Sequence, residues 1–452
     1  MNIIVIGCGK IGETLIRSFV KEGHDVVALD NRDTVIQDLT NKYDVMCLCG
    51  NGADCLTLQE AGVEKAEMVV AVTGSDEVNM LACFLARRLG AAHTIARIRN
   101  PEYNDRSLGF LKEQLGLSMA INPELLAAQD LFHSLKLPAG VKVEYFSRRN
   151  FEMIEVKLKE DSVLCGTSLM ELRNKHDAKF LVCVVQRGDE VIIPDGSFRL
   201  QAGDKIGLTA KPTEMQKLFR SMKLTNKLAK DVMILGGSKT AFYLAKMLIG
   251  SGTNVKLIDV DRHVCRNFCD ALPALSAVHG DGTQQDLLLE EGLTDQDAFV
   301  ALTGMDEENI LMSFFASSQN VPKVVAKVNR EEMASLSEQL GLERIISPKE
   351  IIANVLLRYA RALQSSMGSS IETLYQVMDG KAEALEFAVN GSSSLTGIPL
   401  KDLQLKKNIL IAGIIRDRKT IIPTGTDQIL SGDKVVVISA SHRLAALADI
   451  LK

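Results

Sequence analysis

The sequence predicts an α/β protein in which two doubly wound parallel sheets are each followed by a small α+β lobe, one two-domain unit occurring twice. Short β-branched runs alternate with helical segments at the start of the chain, and the same texture returns after residue 230. A glycine-rich turn stands between the first run and the first helix in both places, and ordered matches relate the two halves.

Those matches set the length of the unit. Gly7 recurs as Gly236, 229 positions on, and the same offset carries Asp30 onto Asp259, Ile192-Ile193-Pro194 onto Ile421-Ile422-Pro423 and Gly203-Asp204-Lys205 onto Gly432-Asp433-Lys434. Val72-Thr73-Gly74 pairs with Leu302-Thr303-Gly304, and Glu113-Gln114-Leu115-Gly116-Leu117 with Glu338-Gln339-Leu340-Gly341-Leu342, after a few residues gained or lost. A unit of about 230 residues is far longer than a solenoid repeat, so each copy holds self-sufficient domains.

Within a copy the texture changes partway. In the first, 3–6, 26–29, 45–48, 68–72 and 95–98 are predicted strands separated by helices, the first helix starting after Lys10, and this alternation implies βαβ units and a parallel sheet. Further on, 153–158, 180–186, 191–193 and 206–209 are strands joined mainly by turns such as Arg187-Gly188-Asp189, which implies a largely antiparallel α+β lobe. An amphipathic segment, 123–137, links the two portions, with Leu126, Leu131 and Leu135 among its apolar positions and Pro123 in the first turn; its twin is 348–363. The apolar face of such a helix either docks on another subunit or packs on its own domain. The predicted domains are 1–135 and 226–365 for the large sheets, and 136–225 and 366–452 for the lobes.

Composition narrows the class. With 452 residues, 46% of them hydrophobic and 24% charged, the chain can build several ordinary cores. A net charge of -5 and the lack of a basic run with interleaved aromatics argue against nucleic acid as a partner. The chain opens directly on strand residues without a signal-peptide pattern, and no apolar run approaches the roughly 18 residues needed to span a bilayer, so a soluble cytoplasmic protein is expected. The nine cysteines are scattered where a small hydrophobe would serve, as at Cys8 and Cys83. Cys47 and Cys49 alternate on a strand and Cys265 and Cys269 share a helix face, but neither pair has partners at zinc spacing, so core filling is favoured and no metal is expected.

Chemistry concentrates in the first turn. Gly7-Cys8-Gly9-Lys10-Ile11-Gly12 follows a strand, opens a helix and is trailed, 18 residues after Gly12, by Asp30 at the end of the next strand. This is the Rossmann dinucleotide fingerprint: Gly7 permits the tight turn, Gly9 lets the backbone approach a pyrophosphate, and Gly12 lets the helix pack on the sheet. The helix N-terminus offers free N–H groups and a partial positive charge to phosphate. Asp30 can accept both ribose hydroxyls of an adenosine, which favours NAD over NADP. Arg32 could tolerate a 2′-phosphate or lie against adenine, and the second is favoured because Asp30 would repel the phosphate. In the second copy, Gly236-Gly237-Ser238-Lys239-Thr240-Ala241 keeps the first glycine but places Ser238 where backbone should meet phosphate, while Asp259 survives and Asp281, in Gly280-Asp281-Gly282-Thr283, is offered near the adenine end. Whether this copy binds a nucleotide, and which, stays open.

The duplicated fingerprint, the run Thr73-Gly74-Ser75-Asp76-Glu77-Val78-Asn79 with its echo Thr303-Gly304-Met305-Asp306-Glu307-Glu308-Asn309, the Ala96-Arg97-Ile98-Arg99 strand and the Gly203-Asp204 lobe together resemble the TrkA family of Trk potassium-uptake proteins, built from two tandem RCK (regulator of potassium conductance) units. The resemblance covers essentially the whole chain, and the tandem order makes it specific. It implies a cytoplasmic regulatory subunit, peripheral at the inner face of a bacterial membrane, that binds NAD(H), with ATP or ADP as further ligands. It also implies a homo-oligomeric, tetrameric ring of eight RCK units beneath a Trk-type membrane potassium transporter. On matching positions, the fingerprint and Asp30 would hold pyrophosphate and adenosine, Thr73 and Gly74 would line the far side, and the guanidinium fork of Arg97, at the C-terminal edge of the sheet, would reach a phosphate. Where many relatives carry Gly-Asp, the first copy has Gly50-Asn51, so the carboxylate that the resemblance would place near adenine is lost there and an adenine contact at Asn51 stays open. Asp76 and Glu77 have two readings, a solvated helix start or a ligand contact.

The rival class is an NAD-dependent oxidoreductase. Such an enzyme needs a substrate domain and an acid or base within reach of the nicotinamide, whereas the seven histidines are dispersed and the lobe after each sheet is short and duplicated. No catalytic residue is assigned, and a regulator is the expected class.

Overall fold

The run Asn2–Ile6 (β1) buries Ile3, Ile4, Val5 and Ile6 together, as a strand covered on both faces must. Asp25–Asp30 (β2), Met46–Cys49 (β3), Met68–Ala71 (β4), His93–Arg97 (β5) and Met119–Ile121 (β6) join it in a six-stranded parallel sheet of order β3-β2-β1-β4-β5-β6. Helices Lys10–Lys21 (α1), Asp33–Lys42 (α2), Cys55–Glu60 (α3), Asp76–Arg88 (α4), Asp105–Leu115 (α5) and Pro123–Leu135 (α6) connect the strands or follow them. The order reverses between β1 and β4, which opens a crevice at the carboxyl ends of those strands. This computed structural model describes residues 1–100, 103, 105–136, 141–146, 151–160, 162–175, 180–210, 212–221, 229–342, 344–366, 371–378, 380–389, 395–417, 419–440, 444 and 446–452.

The first lobe comprises Val141–Phe146 (β7), Phe151–Lys157 (β8), Leu169–Lys175 (α7), Phe180–Arg187 (β9), Glu190–Ile192 (β10), Lys205–Ala210 (β11) and Pro212–Ser221 (α8). Its sheet has the order β10-β9-β11-β8-β7 with antiparallel pairings throughout. The sequence reading omits β7, whose Val-Lys-Val-Glu alternation marks a strand with two unlike faces.

The second copy repeats both layers. Asp231–Leu235 (β12), Lys239–Gly250 (α9), Asn254–Asp259 (β13), Arg262–Ala271 (α10), Ser276–His279 (β14), Gln285–Glu290 (α11), Ala298–Ala301 (β15), Asp306–Ser318 (α12), Lys323–Lys327 (β16), Glu331–Gln339 (α13), Ile345–Ile346 (β17) and Pro348–Ser366 (α14) give the sheet order β14-β13-β12-β15-β16-β17. Ile371–Val377 (β18), Ala382–Ala388 (β19), Ile409–Arg416 (β20), Lys419–Ile421 (β21) and Lys434–Ser439 (β22) form the second antiparallel sheet, of order β18-β19-β22-β20-β21. The α/β class with two parallel sheets and two small lobes is therefore what the sequence predicts.

The compact units, however, are not the sequence repeats: residues 1–133 and 229–357 form one, and 134–228 and 358–452 the other. In the first, Arg17 on α1 donates to Glu331 and Glu350 of the second copy at 2.5 and 2.7 Å, and the Tyr243 hydroxyl on α9 donates to the Arg99 carbonyl at 3.1 Å while accepting from Asn122 at 3.1 Å. Leu131 and Leu135 of α6 are buried within the chain and Leu126 is half-buried, so that helix packs on its own protein at these positions; residue 137 lies outside the described ones.

In the second unit the two lobes share a core. Phe151, Met153 and Val184 pack with Met378, Ala412 and Val436, and a Cβ on Gly413 would fall 2.1 Å from the Phe151 ring. Buried Glu155 accepts the main-chain N–H of Met378 at 3.1 Å, and the Thr209 hydroxyl donates to the Ala412 carbonyl at 3.2 Å. The repeated Gly-Asp pair explains itself here: Asp204 and Asp433 each take a two-pronged arginine, Arg187 and Arg416, with contacts of 2.8 Å. Gly203 and Gly432 make the preceding turns at φ +86° and +88°.

The cysteine expectation divides. Cys8, Cys83, Cys183 and Cys265 are buried, the first three with thiols pushed up to about 12 by burial, whereas Cys49, Cys55 and Cys269 are exposed and fill no core. Among the described residues no cluster of His, Cys, Asp and Glu suited to a metal forms, and no helix is long and apolar enough to cross a membrane.

Candidate functional site: a cleft at the sheet edge

The fingerprint's three glycines are glycine for three different reasons. Gly7 turns the chain at φ +89°, and a Cβ there would lie 2.7 Å from the Thr73 nitrogen. A Cβ on Gly12 would meet the Gly7 carbonyl oxygen at 2.0 Å, so α1 could not sit where it does. Gly9 needs glycine for neither reason, since its φ is -68° and nothing lies within 4 Å of the added Cβ. That open space belongs to a cleft of about 930 Å³.

Gly9 is the N-cap residue of α1 and no side chain caps the helix, so its first N–H groups face the cleft. On one flank stands Asp30, accepting the Cys8 N–H at 2.7 Å and, through both oxygens, the Arg32 guanidinium at 3.0 and 3.2 Å. Burial alone would raise the Asp30 pKa, but the Arg32 and Cys8 bonds hold it below the ordinary carboxylate value. Arg32 thus rests on the carboxylate expected to meet ribose.

On the other flank, Thr73 and Gly74 end β4 and Arg97 ends β5. Arg97 is 8% exposed, donates to the Thr73 carbonyl and leaves Nε without a hydrogen-bond partner. Burial and neighbouring Arg99 pull its pKa below the usual arginine value, against the opposing pull of Glu124 and Asp76.

Two residues whose importance the sequence reading missed build this flank. Asn79, fully buried, accepts from the Thr73 N–H at 2.7 Å and donates to the Arg97 carbonyl at 2.9 Å, clamping the two strand ends together; Asn309 repeats this with Thr303 and Lys327 at 2.8 and 2.9 Å. Asp76 is neither solvated nor a lining residue: it is buried and takes the N–H groups of Arg99 and Asn100, both at 2.8 Å. Six positions apart, Thr73 and Asn79 were visible as a repeated motif, but a capping clamp between two strands is legible only once the strands are adjacent.

The cleft does not stop at the first copy. Ser238, Lys239, Thr240, Lys327, Asn329, Pro348 and Lys349 line it as well. The second fingerprint reaches it in altered form: Ser238 caps its own helix, accepting the Ala241 N–H at 3.3 Å, which an uncapped helix would offer to a ligand. Gly236 makes the turn at φ +92° but does not line the cleft, nor do Asp259 and Asp281. Asp259 takes the N–H groups of Gly237 and Asp261 at 2.6 and 2.7 Å, and Asp281 closes a local turn on the Thr283 N–H and hydroxyl at 3.0 and 2.7 Å. Asn51 lines the cleft, yet its side chain likewise serves a turn, accepting the Ala53 N–H at 3.0 Å. Of the first-copy residues, Gly7, Gly9, Lys10, Ile11, Asp30, Thr73, Gly74 and Arg97 come together, while Cys8 and Gly12 stay behind the surface as packing residues.

Two tandem Rossmann sheets, each followed by an antiparallel lobe, the first sheet alone carrying an intact fingerprint, define a duplicated RCK architecture. The TrkA-N domain matches residues 3–123 and 232–348 and the TrkA-C domain residues 153–223 and 384–452, so the chain belongs to the TrkA family. It is 30% identical over 453 residues to the "Trk system potassium uptake protein TrkA homolog" of Archaeoglobus fulgidus, covering 100% of both chains. With the "Trk system potassium uptake protein TrkA" of Haemophilus influenzae it shares 30% identity over 456 residues, 99% of this chain and 96% of that one. Among solved structures, the GsuK RCK domain matches with a TM-score of 0.63 at 18% identity, over 97% of this chain and 92% of that one. The GsuK channel bound to NAD matches with 0.63 at 17%, over 97% and 77%.

Proposed function

We propose that this chain is a nucleotide-sensing regulatory subunit of a Trk-type potassium uptake system, the first sheet's cleft holding the adenosine and phosphates of NAD(H), ATP or ADP. The observation that carries the reading is Gly9: neither its dihedral angles nor its packing require glycine, yet it stands at an uncapped helix N-terminus beside Asp30. A ligand brought close to that backbone supplies the missing reason. The names of the matched relatives support the potassium-uptake role, and the solved RCK protein bound to NAD supports the ligand class.

The subunit would work as a ring at the inner face of the membrane, in contact with a membrane transporter. Its ligand shifts the ring between two shapes only by the difference in its affinity for them, so NADH and NAD, or ATP and ADP, must bind the two shapes unequally. Calorimetric titration of the whole chain tests the site: Asp30→Ala and Gly9→Glu should abolish binding at the first cleft and, in vesicles with the co-purified transporter, uncouple flux from nucleotide. Unchanged isotherms in both variants would refute the assignment, and steady NADH turnover with carbonyl compounds would sink the regulatory reading in favour of an oxidoreductase.

A further inference from the structure

The two lobes are copies of one design and meet through like faces, the twin strands β9 and β20 touching, yet the residues at equivalent places in their shared core are not copies. Arg187 with Asp204 and Arg416 with Asp433 fix the register, so Val184 on β9 and Gly413 on β20 hold the same place, as do Gly207 on β11 and Val436 on β22. Glu155 pairs with Gly207 as Glu386 pairs with Val436, which makes Phe151 of β8 the counterpart of Ala382 of β19. Large and small are exchanged at each place. Phe151 of the first lobe covers Gly413 of the second, where the three atoms nearest an added Cβ all belong to its ring, at 2.1 to 2.9 Å. The counterparts Ala382 and Val184 lie in the same core with the sizes reversed. In the other direction, Met378 of the second lobe comes within 2.8 Å of a Cβ on Gly207, with Met153 and Val184 of the first lobe closer still. Met378 is buried at φ +52°, left-handed backbone that a side chain this long seldom adopts, and Glu155 accepts its N–H.

We infer that this exchange of large and small residues is a pairing code: each lobe accepts the other lobe of its own chain and rejects a lobe of its own kind. Because the lobes meet through like faces, two first lobes would set Phe151 against Val184 at both equivalent contacts and overfill them. Two second lobes would set Ala382 against Gly413, leaving voids, and Met378 against Val436. Overfilled and emptied cores are both unstable. Specificity of this kind comes from the mispairings it destabilises as much as from the contact it makes. A duplicated chain that closes its own two lobes leaves neither to join the like lobe of a second copy, so chains associate through other surfaces.

Single substitutions recreate each rejected combination inside the full-length chain. Lys381 Nζ lies 2.9 Å from Asp189 Oδ1 across the lobe contact, so a carbodiimide can join them in a zero-length amide that peptide mass spectrometry reads. When isotopically light and heavy chains are refolded together, the wild type should give this cross-link with both peptides from one chain; light joined to heavy would overturn pairing within the chain. Gly413→Val gives the combination of two first lobes and Phe151→Ala that of two second lobes, and each should lower the cross-link yield roughly 10-fold. The double variant Phe151→Ala/Gly413→Val reproduces the combination of Ala382 with Val184 and should return the yield to within about 2-fold of wild type. A double variant no better than the worse single one overturns the inference, because each substitution would then only damage its own lobe. Either single variant cross-linking as well as the wild type overturns it too.

Discussion

Helices α1 and α9 begin at matching places in the two copies and differ in who uses their first N–H groups. Gly9 leaves those of α1 to the cleft; Ser238 turns one of α9's inward, onto its own hydroxyl. The acidic residues ending the second strands accept the same main-chain N–H groups, Asp30 those of Cys8 and Arg32 and Asp259 those of Gly237 and Asp261, and differ in that Asp30 also holds the Arg32 guanidinium, whereas Asp261 caps α10. The backbone turn survives in both copies because Gly7 and Gly236 answer to Thr73 and Thr303, protein neighbours that duplication carried along. Of the three glycines only the turn-former is common to both copies, Ser238 standing for Gly9 and Ala241 for Gly12.

The sharpest way to break this comparison is to exchange the two kinds of glycine. Gly12→Ala puts a methyl group 2.0 Å from the Gly7 oxygen and should cost about 3 kcal/mol in urea unfolding, a measurement of stability with no nucleotide present. Gly9→Ala should cost no more than about 1 kcal/mol and yet weaken nucleotide binding by roughly 100-fold in titration. Equal stability losses in the two variants would refute the distinction between a packing and a binding glycine.

A smaller effect is expected on the second helix. Ser238→Ala removes the cap and should destabilise by about 1 kcal/mol, whereas Ser238→Gly should cost only a few tenths, about 0.3 kcal/mol. If the serine cap is what closes the second N-terminus, Ser238→Gly alone should add anion binding there, seen as a tighter titration with inorganic pyrophosphate; the same affinity as wild type would place the cause elsewhere.

The smallest effect concerns the lobes. Burial would raise the Asp204 pKa, but the Arg187 bonds hold it below the usual carboxylate range. A depressed folded value contributes stability that is fully present above about pH 4 and is lost as pH falls through that lower value. Acid unfolding followed by far-UV circular dichroism should therefore begin at a higher pH in Arg187→Ala than in the wild type, with the two curves parallel between pH 6 and 8. An unshifted acid limb would show that the pair adds nothing to the lobe.

Much of this was legible from residue order. The strand runs, the fingerprint and Asp30 are local signals whose spacing follows from helix and strand geometry, and Gly7, Gly9, Lys10, Ile11 and Asp30 line one cleft. Asp281 closes a turn onto the N–H two residues on, as Asn51 does in the first copy, and residue order does not separate that role from a ligand contact. Asp76 and Asn79 gave a repeated motif without a role, since their partners lie 23 and 18 positions away on another strand end.

By itself the sequence determined the duplicated α/β unit and the first fingerprint, because periodic burial, turn glycines and long-range repetition are written in residue order. Only the tertiary structure decided which domains pair. It joined the two large sheets of one chain in one compact unit and the two lobes in another, and so carried Lys327 and Lys349 to the rim of a cleft whose fingerprint glycines, Gly7 and Gly9, lie more than 300 positions earlier. Chain order cannot convey that, since the pairing is set by side-chain contacts such as Arg17 with Glu331 and Glu350, which no local pattern records.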